Sequence, residues 1–358
     1  MPIDDNIIGK KLARSIYRAD GNLLLAAGVT IRKEIADRLR ELGISFAYVT
    51  TPPARSTEVV ETIAENTRLE VTRQVAQAMR QIDVGEQPDL DRLKKIVESI
   101  LEEVIATQPM LLLLVDVRAA PDYTFAHSTG VLVFALASGL GLGLASEDLR
   151  KLGFGALFHD VGKIRIPESI LQKEAALNAE EWELMKAHTT IGLDLLRQVV
   201  GFNLAAAQVA LQHHEKVDGS GYPQGLKGQA IHEYARIAAV ADVYDALVTD
   251  RPYRRGRLPH EASAIIRAGA GTYFDPNVVN SFLSCVVPYP VGIEVYLSTG
   301  ELARVIGVNR AMPERPIVKL LRDRNGRALR SKPEIDLGQW PSIAILARRQ
   351  QADDNLEH

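Results

Sequence analysis

The chain has 358 residues, with 42 basic and 45 acidic side chains for a net charge of −3 and 46% apolar residues. It is long enough to bury a large core, as one big domain with smaller companions or as two to three modest domains. This balance excludes a global pull toward nucleic acid polymers or membranes, so any anion site has to be local.

Cys285 is the single cysteine, which excludes an intramolecular disulfide framework, and no signal segment opens the sequence. The expected compartment is cytoplasmic. Residues 1–54 read as a small α+β module. Asp20-Gly21 separates two short apolar runs and predicts a hairpin turn. Thr30 is a candidate N-cap, after which Ile31, Ile35, Leu39 and Leu42 recur at helical spacing until Gly43, ahead of a strand-like SFAYV.

Residues 55–114 read as linking helices. Val71, Val75, Met79 and Ile82 form one stripe, and Leu93, Ile96, Val97, Ile100, Leu101 and Val104 form another, with a break from Gly85 to Pro88. These stripes suit packing on the following domain or on a second subunit as a homodimer, and the sequence does not choose.

Residues 115–286 are helix-rich. The most apolar run, Gly130 to Ala145, falls short of the roughly 20 residues of a membrane span and predicts a buried helix with its exit loop. Residues 287–348 alternate as strands do, in VGIEVYL, ELARVIGV and PIVKLLRD, with turns at Ser-Thr-Gly and Asn325-Gly326, and predict a small β domain. The tail 349–358 ends in Leu-Glu-His, which resembles the start of a purification tag, so His358 carries no argument. The fold class is therefore mainly α, a helical bundle flanked by the N-terminal module and the β domain.

The chemistry concentrates in His127, His159-Asp160, His188, His213-His214 and Asp242. Each falls about one helix and its connection from the next, so successive helices can point ligands into a common centre. A lone histidine is more often a surface or satisfied polar group. Together, buried histidines and aspartates at regular spacing demand partners that an apolar core does not provide, and a divalent transition metal provides them. Seven such groups exceed the needs of one ion, especially if Asp160 bridges with its two oxygens.

HDVGK, HHEKVDGSGYP, ADVYDAL and DRPYR, in this order and spacing, resemble the HD-GYP family of HD-domain phosphohydrolases, which act as cyclic di-GMP phosphodiesterases. The resemblance implies that His127, His159, Asp160 and Asp242 hold one metal. Asp160 would bridge to a second, held by His188, His213 and His214. Iron or manganese is expected, with zinc or nickel open. Some members add a third metal through a glutamate four residues before the first histidine. Here that position is Tyr123, with Asp122 one residue out of register, so two metals are expected.

Two such metals would bridge a water, lower its pKa toward about 7 and supply the attacking hydroxide for in-line hydrolysis. Lys163, Arg251 and Arg254 are the candidate phosphate contacts. Without the metal ligands nearby, these cations would read as a solvated basic turn and a helix-end lysine. Gly219 and Gly221 suit special backbone angles, Pro223 stiffens the loop exit, and Tyr222 offers a face to a purine. A glycine-rich turn with a packing tyrosine is the plain alternative, and Asp218 is a candidate brace for it. In the family, the loop Gly221-Tyr222-Pro223 is also linked to docking of diguanylate-cyclase domains.

The expected product is linear pGpG, with GMP as a further step. Two alternatives stay open: an HD phosphohydrolase of another cyclic dinucleotide or nucleotide, and a slow or inactive sensor that binds cyclic dinucleotide. The signal read by residues 1–54 is not legible, because no phosphoacceptor cluster occurs there.

Overall fold

The computed structural model describes residues 3, 5–12, 15–18, 23–42, 44, 47, 49–50, 63, 65–107, 118–119, 123–173, 175–249, 256–309 and 311–346. Near the N-terminus lie β1 (Lys11–Leu12), β2 (Ile16–Arg18), β3 (Leu23–Leu25), α1 (Lys33–Glu41) and β4 (Val49–Thr50). β1 pairs with β4, and β2 with β3, both antiparallel. The predicted hairpin therefore forms, although Asp20-Gly21 itself lies outside the described residues. Ile7, Leu12, Ile16, Ile31, Ala36 and Leu39 close a small core of their own.

One local expectation fails. Thr30 does not cap α1, because its backbone is used in a bridge to Lys11, and the helix starts after Arg32, whose side chain makes no capping bond. The strand pairing of this segment wins over the local capping preference.

α2 (Glu65–Asp83) and α3 (Leu90–Thr107) are separated by Gly85 in the left-handed region, at φ 78°, and Asp89 Oδ1 accepts the Arg92 N–H at 3.0 Å at the start of α3. The two stripes face inward against α4 (Tyr123–Gly141) and α5 (Ser146–Leu157). Val71, Val75, Met79, Val97, Ile100 and Val104 belong to the same buried core as those helices. The packing partner that the sequence left open is thus the chain's own helical domain. β5 (Arg118–Ala119) pairs in parallel with β2 and so returns to the N-terminal module.

The helical domain continues with α6 (Glu168–Leu171), α7 (Ala179–Lys186), α8 (His188–Arg197), α9 (Leu204–Gln212), α10 (Glu233–Val248), α11 (Pro259–Ala268) and α12 (Pro276–Cys285). α4 is its axis. Its residues Val131 to Ala137 are all buried because α2, α3, α5, α10 and α12 pack around it, which explains why the helix is apolar on every side. Among the described residues no helix is long and apolar enough to cross a membrane.

β6 (Glu294–Leu297), β7 (Leu302–Gly307), β8 (Ile317–Arg322), β9 (Glu334–Asp336) and β10 (Ile345–Leu346) form one antiparallel sheet in the order β10-β6-β7-β8-β9. Gly300 and Gly326 take positive φ at the two turns that the sequence marks. Tyr289 stacks on His260 of α11 with ring centroids 5.1 Å apart, joining sheet and helices.

Candidate metal centre

Five helices and the turns that follow them deliver the candidate ligands. His127 lies in α4, His159 and Asp160 follow α5, His188 opens α8, His213 and His214 follow α9, and Asp242 lies within α10. Gly162 makes one approach possible: a Cβ there would overlap the His188 carbonyl oxygen, so only glycine lets the short helix Val161–Arg165 lie against α8. That contact brings His188 beside Asp160.

Two groups result. Asp160, His188, His213 and His214 form one, and His127, His159 and Asp242 the other, with donor atoms in each lying within 4.8 Å of one another. Asp160 faces both. Its Oδ2 lies 3.3 Å from His159 Nε2, while its Oδ1 lies 3.5 Å from His188 Nε2 and 3.7 Å from His213 Nε2. All of these residues are buried except His214, which is partly so.

Backbone carbonyls orient the imidazoles. Nδ1 of His159 donates to the Ala156 carbonyl at 2.8 Å, that of His188 to Met185 at 2.6 Å, and that of His213 to Val209 at 2.9 Å. This leaves Nε2 as the lone-pair atom facing the centre in each. The Nε2 atoms of His188 and His213 then stand 3.4 Å apart.

His127 is held differently, with Nδ1 2.6 Å from Asp245 Oδ2 and Nε2 2.9 Å from Asp242 Oδ1. Burial pulls its pKa down, but the two carboxylates outweigh that and hold it up at about 9. Burial pushes His188 down to about 4 against the pull of Asp160, with the His213 and Lys163 charges adding to the fall. His214 is likewise held well below the usual imidazole range by burial and by His213. Burial opposes ionisation of Asp160, yet the Lys163 and His159 charges keep its carboxyl well below the usual carboxylate range.

Lys163 Nζ lies 2.5 Å from Asp160 Oδ2 and its side chain is 28% exposed, so it borders the ligands from the solvent side. Arg251 and Arg254 lie outside the described residues, as does Asp122. Tyr123 begins α4. In the loop, Gly219 does take a positive φ of 86°, whereas Gly221 does not. Glycine is needed at 221 for a different reason: a Cβ would overlap the backbone of Glu215 and Lys216. Tyr222 stacks on His214 with centroids 4.8 Å apart. Pro223 follows it in cis. Asp218 Oδ1 accepts from the Ser220 N–H and hydroxyl at 2.8 and 2.7 Å, bracing the turn.

Two residues escape sequence reasoning. Asp245, three residues after Asp242 and on the same helix face, carries a signal that the i, i+3 spacing of two acids in ADVYDAL could have supplied. Glu215 follows the histidine pair and is buried, accepting the Gln224 and Leu226 N–H groups at 2.6 and 2.9 Å. It ties the Gly-Tyr-Pro loop to the end of α9.

A family model described as HD domain matches residues 100–278, and another, a KOW domain associated with HD domain, matches residues 294–354. The chain belongs to the HD-domain family. A cyclic di-GMP phosphodiesterase of Pseudomonas aeruginosa is 33% identical over 265 residues, 74% of this chain and 64% of that protein. A cyclic di-GMP phosphodiesterase response regulator of Xanthomonas campestris pv. campestris is 46% identical over 143 residues, 40% of this chain and 38% of that protein. A 3'3'-cGAMP-specific phosphodiesterase of Vibrio cholerae is 33% identical over 217 residues, 56% of this chain and 42% of that protein. The matches span less than two thirds of the length of these relatives.

In this HD-domain protein, His159 Nε2 and Asp160 Oδ1 are buried without a hydrogen-bond partner. Leaving such groups unsatisfied costs roughly 1–3 kcal/mol each. A cation among the Nε2 and carboxylate atoms satisfies both, and the nitrogen and oxygen donors fit a divalent transition metal.

Proposed function

We propose that this HD-domain protein is a dinuclear-metal phosphodiesterase that hydrolyses cyclic di-GMP to pGpG or GMP. The observation that carries this reading is the Asp160 carboxylate, one oxygen turned to His159 and the other to His188 and His213. A single bridging carboxylate between two histidine groups suits two ions, with iron or manganese the expected occupants and zinc or nickel also compatible. His127, His159 and Asp242 would hold one with Asp160, and His188, His213 and His214 the other with the same carboxylate. Bound ions supply Lewis acidity and an activated water for in-line displacement.

The chain's own residues do the rest. Carbonyl-bonded imidazoles keep their lone pairs aimed inward, so the ligand set needs little reorganisation on loading. Lys163 places a positive charge beside the ligands, where a phosphate oxygen gains charge, and Arg251 and Arg254, which follow α10 in the sequence, are the further candidate phosphate contacts. The Gly221-Tyr222-Pro223 loop walls the cleft and is the proposed contact for a diguanylate-cyclase domain.

The cyclic di-GMP phosphodiesterases among the relatives favour that substrate. The cGAMP-specific relatives make 3'3'-cGAMP the second reading. The deciding experiment is product analysis of protein reconstituted with iron(II) or manganese under reducing conditions, with metals counted per chain. Expected are about two metals, pGpG or GMP from cyclic di-GMP faster than product from cGAMP, and neither metals nor product with Asp160→Ala. Faster turnover of cGAMP reassigns the substrate, and two metals without product from either sinks the enzymatic reading.

A further inference from the structure

Tyr222 is the aromatic side chain that the sequence offers to a purine, yet its ring is already engaged. It stacks on His214 with planes at 27°, and the Lys186 ammonium lies over it at 5.9 Å. The open aromatic surface lies one ring further out. Trp182, on α7, meets Tyr222 edge to face at 6.0 Å and 76°, and it is 46% exposed.

The helix that carries this indole is well anchored at its start. The N-terminus of α7 is locked by a capping box between Asn178 and Glu181, and Lys173 clamps Glu181 at 2.5 Å. α7 ends at Lys186, and α8 opens on His188 two residues later, so Trp182 lies six residues before one of the candidate metal ligands. A nucleotide carries its base one sugar away from its phosphate. With the phosphate at the metal ligands, the base reaches beyond the first ring, toward the outer aromatic face.

We propose that Trp182 is the shelf on which a guanine base of the substrate stacks, with Tyr222 as the spacer that holds His214 and sets the edge of that shelf. The shelf rests on the cyclic-dinucleotide reading above. Indole faces bind any base by stacking, and losing one such contact weakens binding by about tenfold.

The chain has two tryptophans, so Trp340→Phe leaves Trp182 as the sole indole emitter. In this full-length, metal-loaded background, a phosphorothioate analogue of cyclic di-GMP is expected to quench the emission saturably. Trp182→Ala should raise KM for cyclic di-GMP about tenfold with kcat and metal content held, and Trp182→Phe should restore most of the loss. Hydrolysis by the parent with no quench and an unchanged KM overturns the shelf while leaving the phosphodiesterase reading intact. Loss of metal or kcat in Trp182→Ala also overturns it, by making Trp182 a packing residue. A parent protein that neither binds nor hydrolyses cyclic di-GMP overturns the substrate reading and the shelf with it.

Discussion

Asp245 Oδ2 sits 2.6 Å from Nδ1 of His127, on the far side of the ring from Asp242, whose Oδ1 lies 2.9 Å from Nε2. A carboxylate behind a ligating imidazole fixes its tautomer and raises its basicity. Asp245→Asn keeps the shape and removes the charge. Expected is a roughly 10–100-fold weaker metal at the His127 group, with the His188 group unaffected. Metal titration of the variant by calorimetry checks this, and two unchanged affinities would remove Asp245 from the site.

The different placement of the two candidate ligand aspartates makes a second expectation. Asp160 faces both groups, whereas Asp242 belongs to the His127 group alone. Asp242→Asn should therefore leave about one metal per chain and Asp160→Asn close to none. Metal analysis after desalting reads this directly, and an equal loss in the two variants contradicts the bridging assignment.

The convergence of these histidines and aspartates was legible in the sequence because each member repeats at the pitch of a helix and its connection, and because the motifs keep their order. His127, His159, Asp160, His188, His213, His214 and Asp242 all come together. What was not legible is the shell behind them. Asp245 acts through His127, 118 residues away, and Glu215 through backbone N–H groups 9 and 11 residues on, which no side-chain pattern announces. Trp182 lies forty residues before Tyr222 and carries no motif. The direction in which α2 and α3 turn their stripes was also undecidable, since an apolar stripe does not specify which surface covers it. Thr30 shows the converse, a sound local capping signal overridden by a strand bridge to Lys11.

Chelator-treated protein should show opposing histidine limbs in its stability. The folded pKa of His127, at about 9, lies above the ordinary 6.5, so its contribution is full below pH 6.5 and is lost as pH rises through about 9. His188 has the opposite sign. At about 4 it lies below 6.5, so stability is lost as pH falls from 6.5 through about 4. Thermal melts of the stripped protein from pH 5 to 9 should pass through a maximum near 6.5 in this contribution. His127→Gln should flatten the alkaline limb relative to the parent, and His188→Gln the acidic one. Parallel curves for parent and variants would refute the assignment.

Glu215 gives the last expectation. Its two oxygens accept the Gln224 and Leu226 N–H groups from a buried position, and nothing else among the described bonds does so for that stretch of loop. Glu215→Gln retains one acceptor and turns an amide N–H toward the other donor, which strands it at a cost of roughly 1–3 kcal/mol. For a domain of this size that is a fall in Tm of about 2–4 °C per kcal/mol. Because His213 keeps its bond to the Val209 carbonyl and His188 its bond to Met185, metal content should stay close to the parent value. Tyr222, which the loop carries, should lose its fixed place on His214, so KM for cyclic di-GMP rises while the metals remain. Melting curves, metal analysis and steady-state kinetics on the one variant separate these effects, and a simultaneous loss of metal would mean that Glu215 supports the ligands rather than the loop.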